Sequence, residues 1–316
     1  MTTSRQPRAT NDSPCALICY QGDYYSNLGD DIQALAALQF SDPVDYYIPI
    51  DEIAEFRRSA SVDSPKVKAI LNGWYTSNPD SWPPSPDLSP LFVSFHATDH
   101  VYAGYPKPGL HTNRPAIDVL LSPASVEYFK AHAPIGCRDL TTMTRMHDHG
   151  IDAYFSGCLT LTLTARQPEH RESICLVDIA GNTDDVVAQV PHQLQGNIRL
   201  MTHNLHHAGS YTVNERLDLA RQLLDTYRSA ALVITSRLHC ALPCLAFGTP
   251  VIFVRPQHDL SRFPGLLELM HHCSIEDVEH GRYPIRWSSP APNPVSIHAL
   301  ADDLRTRCAS FLAPGA

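Results

Sequence analysis

The sequence predicts an α/β protein made of two doubly wound halves that face each other across a cleft. Three observations carry this. Short apolar runs of strand length alternate along the chain with amphipathic stretches of helical spacing, the pattern of strands joined by crossover helices. A charged, aperiodic stretch at residues 165–172 divides that series in two. At 316 residues the chain is long for one core and suits two of about 150 residues each.

The elements follow in order. Residues 1–14 are polar, lack the apolar core of a secretory signal, and read as a disordered leader. Residues 15–20 form the first strand, 21–28 a polar loop, and 30–40 a helix with Ile32, Leu35, Ala36 and Gln39 on helical spacing. Strands are expected at 44–48, 69–72, 91–95 and 119–121, with a proline-rich surface excursion at 77–90. Ser122 caps a helix whose first residue is Pro123. A strand at 135–137, a helix at 140–148 closed by Gly150, and a strand at 151–155 complete an N-terminal domain of residues 15–165. The C-terminal domain, residues 173–316, carries strands at 173–178 and 198–202, a helix at 213–227 and a strand at 231–235. A helix at 237–247 follows, kinked by Pro243 and ended by Gly248, then a strand at 250–254. The closing helix, 297–311, is placed to pack back on the first domain.

Composition excludes several classes. A formal charge of −9 argues against nucleic acid, whose phosphates call for clustered Lys and Arg. No apolar run reaches the roughly 18 residues of a membrane span, so no integral membrane segment is expected and the cytoplasm is the default location. Nine cysteines at irregular spacing read as reduced, mostly buried thiols. Seventeen histidines include His147 with His149, His203 with His206 and His207, and His271 with His272, the last pair read as a helix end. None has metal-ligand spacing, and Cys240 with Cys244 supplies only two ligands, so no metal is expected.

Open α/β sheets bind ligands beyond the carboxyl ends of their strands. Three turns with chemical potential lie there. In Ser236-Arg237-Leu238-His239 a strand runs directly into a helix. Ser236 reads as the N-cap, the first-turn amides beyond it suit an anion, and Arg237 and His239 add a cation and a proton carrier. In Gly136-Cys137-Arg138-Asp139, Arg138 is expected at the mouth and Asp139 as the next helix's cap. In Asn27-Leu28-Gly29-Asp30-Asp31, Asn27 caps, Gly29 permits close backbone approach, and the aspartates suit the helix dipole, which is equally the description of a well-capped helix. The single glycine there is not a dinucleotide fingerprint. His96, at the end of the strand expected at 91–95, is a further candidate.

These motifs, in this order, resemble the polysaccharide pyruvyl transferase family. The likeness runs through Asn27-Leu28-Gly29-Asp30, Arg138-Asp139 with Thr141-Thr142, and Arg237-Leu238-His239 followed by Leu245-Ala246-Phe247-Gly248-Thr249-Pro250-Val251. One departure is Ser156-Gly157-Cys158-Leu159-Thr160-Leu161, where many members carry Pro-Asp before the apolar segment. The resemblance implies two Rossmann-like domains in a GT-B-like arrangement and transfer of a pyruvyl group from phosphoenolpyruvate to a sugar as a ketal. It implies no cofactor beyond that donor, and a sugar or lipid-linked glycan as acceptor. It puts Arg138, Arg237 and His239 in active-site positions. On this reading His239 is the acid/base with His96 as a second, and Arg138, Arg237, Leu238 and Ser236 hold the donor. Asn27, Gly29 and Asp30 then face the acceptor. A nucleotide-sugar glycosyltransferase and a non-catalytic sugar-binding protein on the same scaffold are the alternatives.

Overall fold

A computed structural model of the chain describes residues 13–58, 64–75, 82–98, 115–164, 170–257 and 260–314. Most of the leader, part of the excursion at 77–90 and most of the dividing stretch at 165–172 lie outside these residues. The first half begins with β1 (Cys15–Cys19), helix α1 (Leu28–Ser41), β2 (Tyr46–Pro49), β3 (Val67–Leu71) and β4 (Leu88–Phe92). Its four strands are parallel in the order β2-β1-β3-β4. Helices α2 (Ala116–Leu120) and α3 (Pro123–Ala131) lead to β5 (Ile135–Cys137), α4 (Leu140–Asp148) and β6 (Ala153–Phe155). β5 and β6 form a parallel pair tied to the first sheet by a bridge between Phe95 and Cys137.

The second half contains β7 (Ser173–Val177), α5 (Thr183–Val187), β8 (Ile198–Met201), α6 (Val213–Ser229), β9 (Ala230–Thr235), α7 (Leu238–Ala246), β10 (Val251–Arg255), β11 (His271–Ser274), α8 (Ile275–Glu279) and α9 (His298–Leu312). Its five parallel strands run β11-β10-β9-β7-β8. Counted within each half, both sheets share the order 2-1-3-4, the second with a fifth strand at its edge. That order puts a topological switch point between the first and third strands of each sheet, where the crossovers diverge and leave a crevice. The two parallel-sheet halves match the predicted fold class.

α1 joins the halves. Of its 14 residues 11 are buried, more than one sheet-facing stripe allows, because its other side packs on α6 and α7 of the second half. Ile32, Leu35 and Ala36 thus belong to one apolar core with Val177, Leu217 and Leu238. Inside that contact Arg216 of α6 donates from Nε and Nη2 to the two carboxylate oxygens of Asp31, at 3.0 and 2.7 Å, with both residues buried. α9 lies against α1 and the short turn Leu159–Thr162, where Arg305 donates to the Thr162 carbonyl at 3.2 Å.

Three expectations need correction. Residues 119–121 are not a strand: Pro115 starts α2 and the buried Ala116 and Leu120 fall on one helical face. The strand placed at 91–95 begins earlier, at Leu88, and as the outer strand of the four it tolerates Pro90. His271 and His272 lie not at a helix end but in edge strand β11, paired with Ile252 and Phe253. All nine cysteines are unpaired and buried. Among the described residues no helix is long and apolar enough to cross a membrane.

Candidate active site

The switch point of the second sheet lies between β7 and β9, and the residues that leave these strands build one wall of a cleft of about 440 Å³. Asp178 follows β7 with φ +42°. Its Oδ2 accepts the His203 amide at 2.8 Å and Arg237 Nε at 2.9 Å. Burial works against its ionisation, but the His203 amide, Thr202 and Arg237 outweigh it and hold the carboxyl below its usual range. Arg237 also donates from Nη2 to Asn204 Oδ1 at 3.1 Å, so its guanidinium is oriented before any ligand arrives.

Ser236 is not the cap of α7. Its hydroxyl accepts the Ala180 amide at 2.8 Å and so sews the turn after β9 to the turn after β7. Arg237 occupies the N-cap position without a side-chain cap, so the first-turn amides of Leu238 and His239, two residues that line the cleft, have no capping side chain. His239 lies one residue further, 5% exposed, and its Nε2 has no hydrogen-bond partner among the described residues. Burial, then Arg138, Arg262, His203 and His96 push its pKa well below the ordinary imidazole value. The resting ring is neutral near pH 7.

The opposite wall comes from the turn after β1, the matching switch point of the first sheet. Asn27 caps α1 as expected, its Oδ1 accepting the Gly29 amide at 3.1 Å. The Leu28 amide donates to the His203 carbonyl at 2.9 Å and the Leu205 amide to the Ser26 carbonyl at 2.7 Å, a short antiparallel stitch between the halves. Gly29 leaves little room for a side chain: a Cβ there would meet Asn27 Oδ1 at 3.0 Å and His203 Nδ1 at 3.2 Å. Asp30, next in the turn, is 7% exposed and accepts from Gln33 Nε2 at 3.3 Å. Burial and then the adjacent Asp31 push its carboxyl up to about 7, against the pull of Arg262, Arg216 and Arg138.

Arg138 departs from its expected place at the mouth. Its amide extends the β5 bonding by donating to the Phe95 carbonyl at 2.8 Å, and this carries the side chain into the interior, fully buried. Its Nε lies 3.9 Å from Asp139 Oδ2. Asp139 caps α4 through the Thr142 amide at 2.8 Å and also meets His96 Nδ1 at 2.6 Å. Burial opposes its charge, but His96, Arg138 and the Thr142 amide together keep the carboxyl below the usual range. Burial and Arg138 push His96 down to about 4 despite that carboxylate. A neutral His96 therefore donates from Nδ1 to Asp139. Neither His96 nor Arg138 lines the cleft; of the two, Arg138 acts on His239 through its charge.

Sequence reasoning missed three cleft residues. Asp178 could have been found as the acid ending a buried strand at a switch point. His203, whose Nε2 meets Tyr227 OH at 2.7 Å, stands in the sequence only as one of three histidines without metal-ligand spacing. Arg262 comes from the turn Leu260–Arg262 beyond β10, which has no motif or period to announce it.

A sequence profile of the polysaccharide pyruvyl transferase family covers the stretch from α2 to just beyond β10. Residues 118–258 match that family. The matched polysaccharide pyruvyl transferase segment holds Arg138, His203, Ser236, Arg237, Leu238 and His239, whereas the Asn27 turn, His96 and Arg262 lie outside it. No curated protein sequence matches the chain. Among solved structures the chain is similar to a functionally uncharacterised protein from Klebsiella pneumoniae, at 13% identity over 83% of this chain and 93% of that one, TM-score 0.45. It is similar to a candidate UDP-N-acetylglucosamine 2-epimerase from Listeria monocytogenes, at 10% identity over 96% and 92%, TM-score 0.42. It is also similar to the glycosyltransferase of kitacinnamycin, at 10% identity over 96% and 95%, TM-score 0.37.

Proposed function

We propose that the cleft transfers a pyruvyl group from phosphoenolpyruvate to two hydroxyls of a sugar in a polysaccharide or glycan precursor, forming a ketal. The observation that carries this reading is the His239 side chain: it belongs to a residue that lines a cleft together with Arg237, Arg262 and Leu238, and its buried Nε2 has no partner among the described residues. Phosphoenolpyruvate brings a carboxylate and a phosphate, which need two anion-binding groups within one small volume. Guanidinium forks and a helix N-terminus supply them. Arg138, behind the wall, contributes charge rather than contact.

The neutral His239 has the state of a general base. It removes the proton of the attacking sugar hydroxyl as that oxygen adds to C2 of the donor, and returns it to the departing phosphate. The acceptor, free or lipid-linked, enters past Asn27 and Gly29, and the reaction runs in the cytoplasm without an added cofactor.

Phosphate release from phosphoenolpyruvate across a panel of free and lipid-linked glycans tests the reading. His239→Ala should lower turnover by ~10²–10⁴ with the fold intact. Undiminished turnover in that variant removes His239 from the chemistry. Calorimetric binding of nucleoside diphosphates in place of phosphoenolpyruvate would favour a glycosyltransferase instead.

A further inference from the structure

A guanidinium offers an anion two flat edges, one made by Nε with Nη2 and the other by Nη1 with Nη2, and partners on one edge turn the other outward. We infer that Asp178 is the positioning residue of the donor site. With Asn204 it fills the Nε–Nη2 edge of Arg237, so that phosphoenolpyruvate meets this arginine end-on, through Nη1 and the second hydrogen of Nη2. This inference rests on the transfer reading above.

The bonds come from the turns that follow three neighbouring strands of the second sheet, β9, β7 and β8. Arg237, after β9, donates from Nε to Asp178 Oδ2, after β7, at 2.9 Å and from Nη2 to Asn204 Oδ1, after β8, at 3.1 Å. Arg216 uses the same Nε–Nη2 edge to hold both oxygens of Asp31. In Arg237 that edge is already satisfied by the protein. Arg237 and Asp178 both line the cleft, with side chains 33% and 14% exposed, so the guanidinium keeps an accessible part while its partner is mostly covered.

Asp178 is itself fixed. The carboxyl oxygen that holds Arg237 also accepts the His203 amide at 2.8 Å. Its φ of +42° lies in the left-handed region, which Asp and Asn enter more readily than most residues. The segment that supplies the His203 amide and Asn204 is the one stitched to the first half, through the bridge of Asn204 to Asn27 and the bond from the Leu28 amide to the His203 carbonyl. The fork is therefore held in register with Asn27 and Gly29 on the opposite wall. By charge alone, a carboxylate in this cleft opposes an anionic donor. Orientation accounts for its place there: a long side chain that must be ordered during binding weakens affinity roughly two- to tenfold, and Asp178 removes that loss in advance.

Calorimetry of the full chain with phosphoenolpyruvate tests the assignment, because the two roles predict opposite signs. Asp178→Asn removes the charge and keeps a residue suited to the left-handed backbone. Charge alone predicts tighter binding; positioning predicts binding weaker by roughly two- to tenfold. In an Arg237→Ala background the same substitution should no longer weaken binding, since the group it orients is gone. Nitrogen-15 NMR gives a readout independent of activity: the Arg237 Nε–H signal, assigned by its loss in Arg237→Ala, should be ordered in the ligand-free wild type and mobile in Asp178→Asn. Should Asp178→Asn fail to fold, Asn204→Ala, at an exposed position, runs through the same cycle with the same expected result. Unchanged or tighter binding by the single variant, equal weakening in the Arg237→Ala background, or a wild-type Nε–H that is already mobile overturns the positioning assignment alone. A wild type that does not bind phosphoenolpyruvate overturns the transfer reading, and the assignment with it.

Discussion

Asp30 makes a stability prediction that does not depend on any substrate. A carboxyl that titrates at 3.8 in the unfolded chain and at about 7 in the folded one is costly to ionise inside the fold. At about 1.4 kcal/mol for each decade of proton affinity, the ionised form costs the folded state about 4 kcal/mol. The sign follows from which state holds the proton. Below pH 3.8 both states are protonated and the cost is nil. Between 3.8 and about 7 the folded chain keeps a proton the unfolded chain has released, so stability falls as pH rises, and above 7 the cost is complete. Asp30→Asn removes the titration while keeping an oxygen to accept from Gln33 Nε2. Urea unfolding of both proteins from pH 4 to 8 should therefore show a gap that grows from near zero to about 4 kcal/mol in favour of the variant. Parallel curves, or a gap that does not change with pH, would falsify the claim that this carboxyl is forced toward its neutral form.

Other perturbations probe the joint between the halves and the anion site. Arg216→Ala leaves the Asp31 carboxylate buried without its partner and should cost about 3–5 kcal/mol in chemical denaturation; a loss below 1 kcal/mol would mean the pair is not dry. Gly29→Ala places a methyl 3.0 Å from Asn27 Oδ1 and 3.2 Å from His203 Nδ1, and overpacking of about 1–3 kcal/mol should exceed the ~1 kcal/mol of helix propensity gained; an unchanged or raised melting temperature would show that the turn yields. Arg237→Ala and Arg262→Ala should each weaken phosphoenolpyruvate binding roughly tenfold or more, the loss of one charge-assisted hydrogen bond, measured by calorimetry. Unchanged affinity in both would place the donor elsewhere.

What could be read from the sequence was what local chemistry decides. Asn27 caps α1, Asp139 caps α4 and Ser122 caps α3, because each acts on an amide two or three residues away. The strand-to-helix turn at Arg237-Leu238-His239 was legible for the same reason. Ser236 shows the limit: it has the residue type of a cap, but its hydroxyl is taken by the Ala180 amide, 56 positions distant in sequence. The Asp31–Arg216 pair spans 185 positions, and no pattern within either helix marks the two residues as partners. Arg138 was misplaced in depth, since a three-residue strand gives no period from which its inward course can be told.

The same limit governs the chemistry of the site. Residue type offers His239 as a proton carrier near neutrality and Asp30 as an anion at a helix start, and the folded surroundings reverse both. His239 is neutral because burial and then two arginines oppose its charge; Asp30 holds its proton because burial and Asp31 do. Neither arginine is near its target in sequence, and each half alone supplies only one member of the pair. The stitch of Leu28 to His203 and Leu205 to Ser26, with the α1 to α6 contact behind it, is therefore more than a domain contact. It fixes the separation at which Arg138 from the first half and Arg262 from the second bear on both titrating groups. Loosening it should shift both titrations back toward ordinary values before it removes any residue from the cleft.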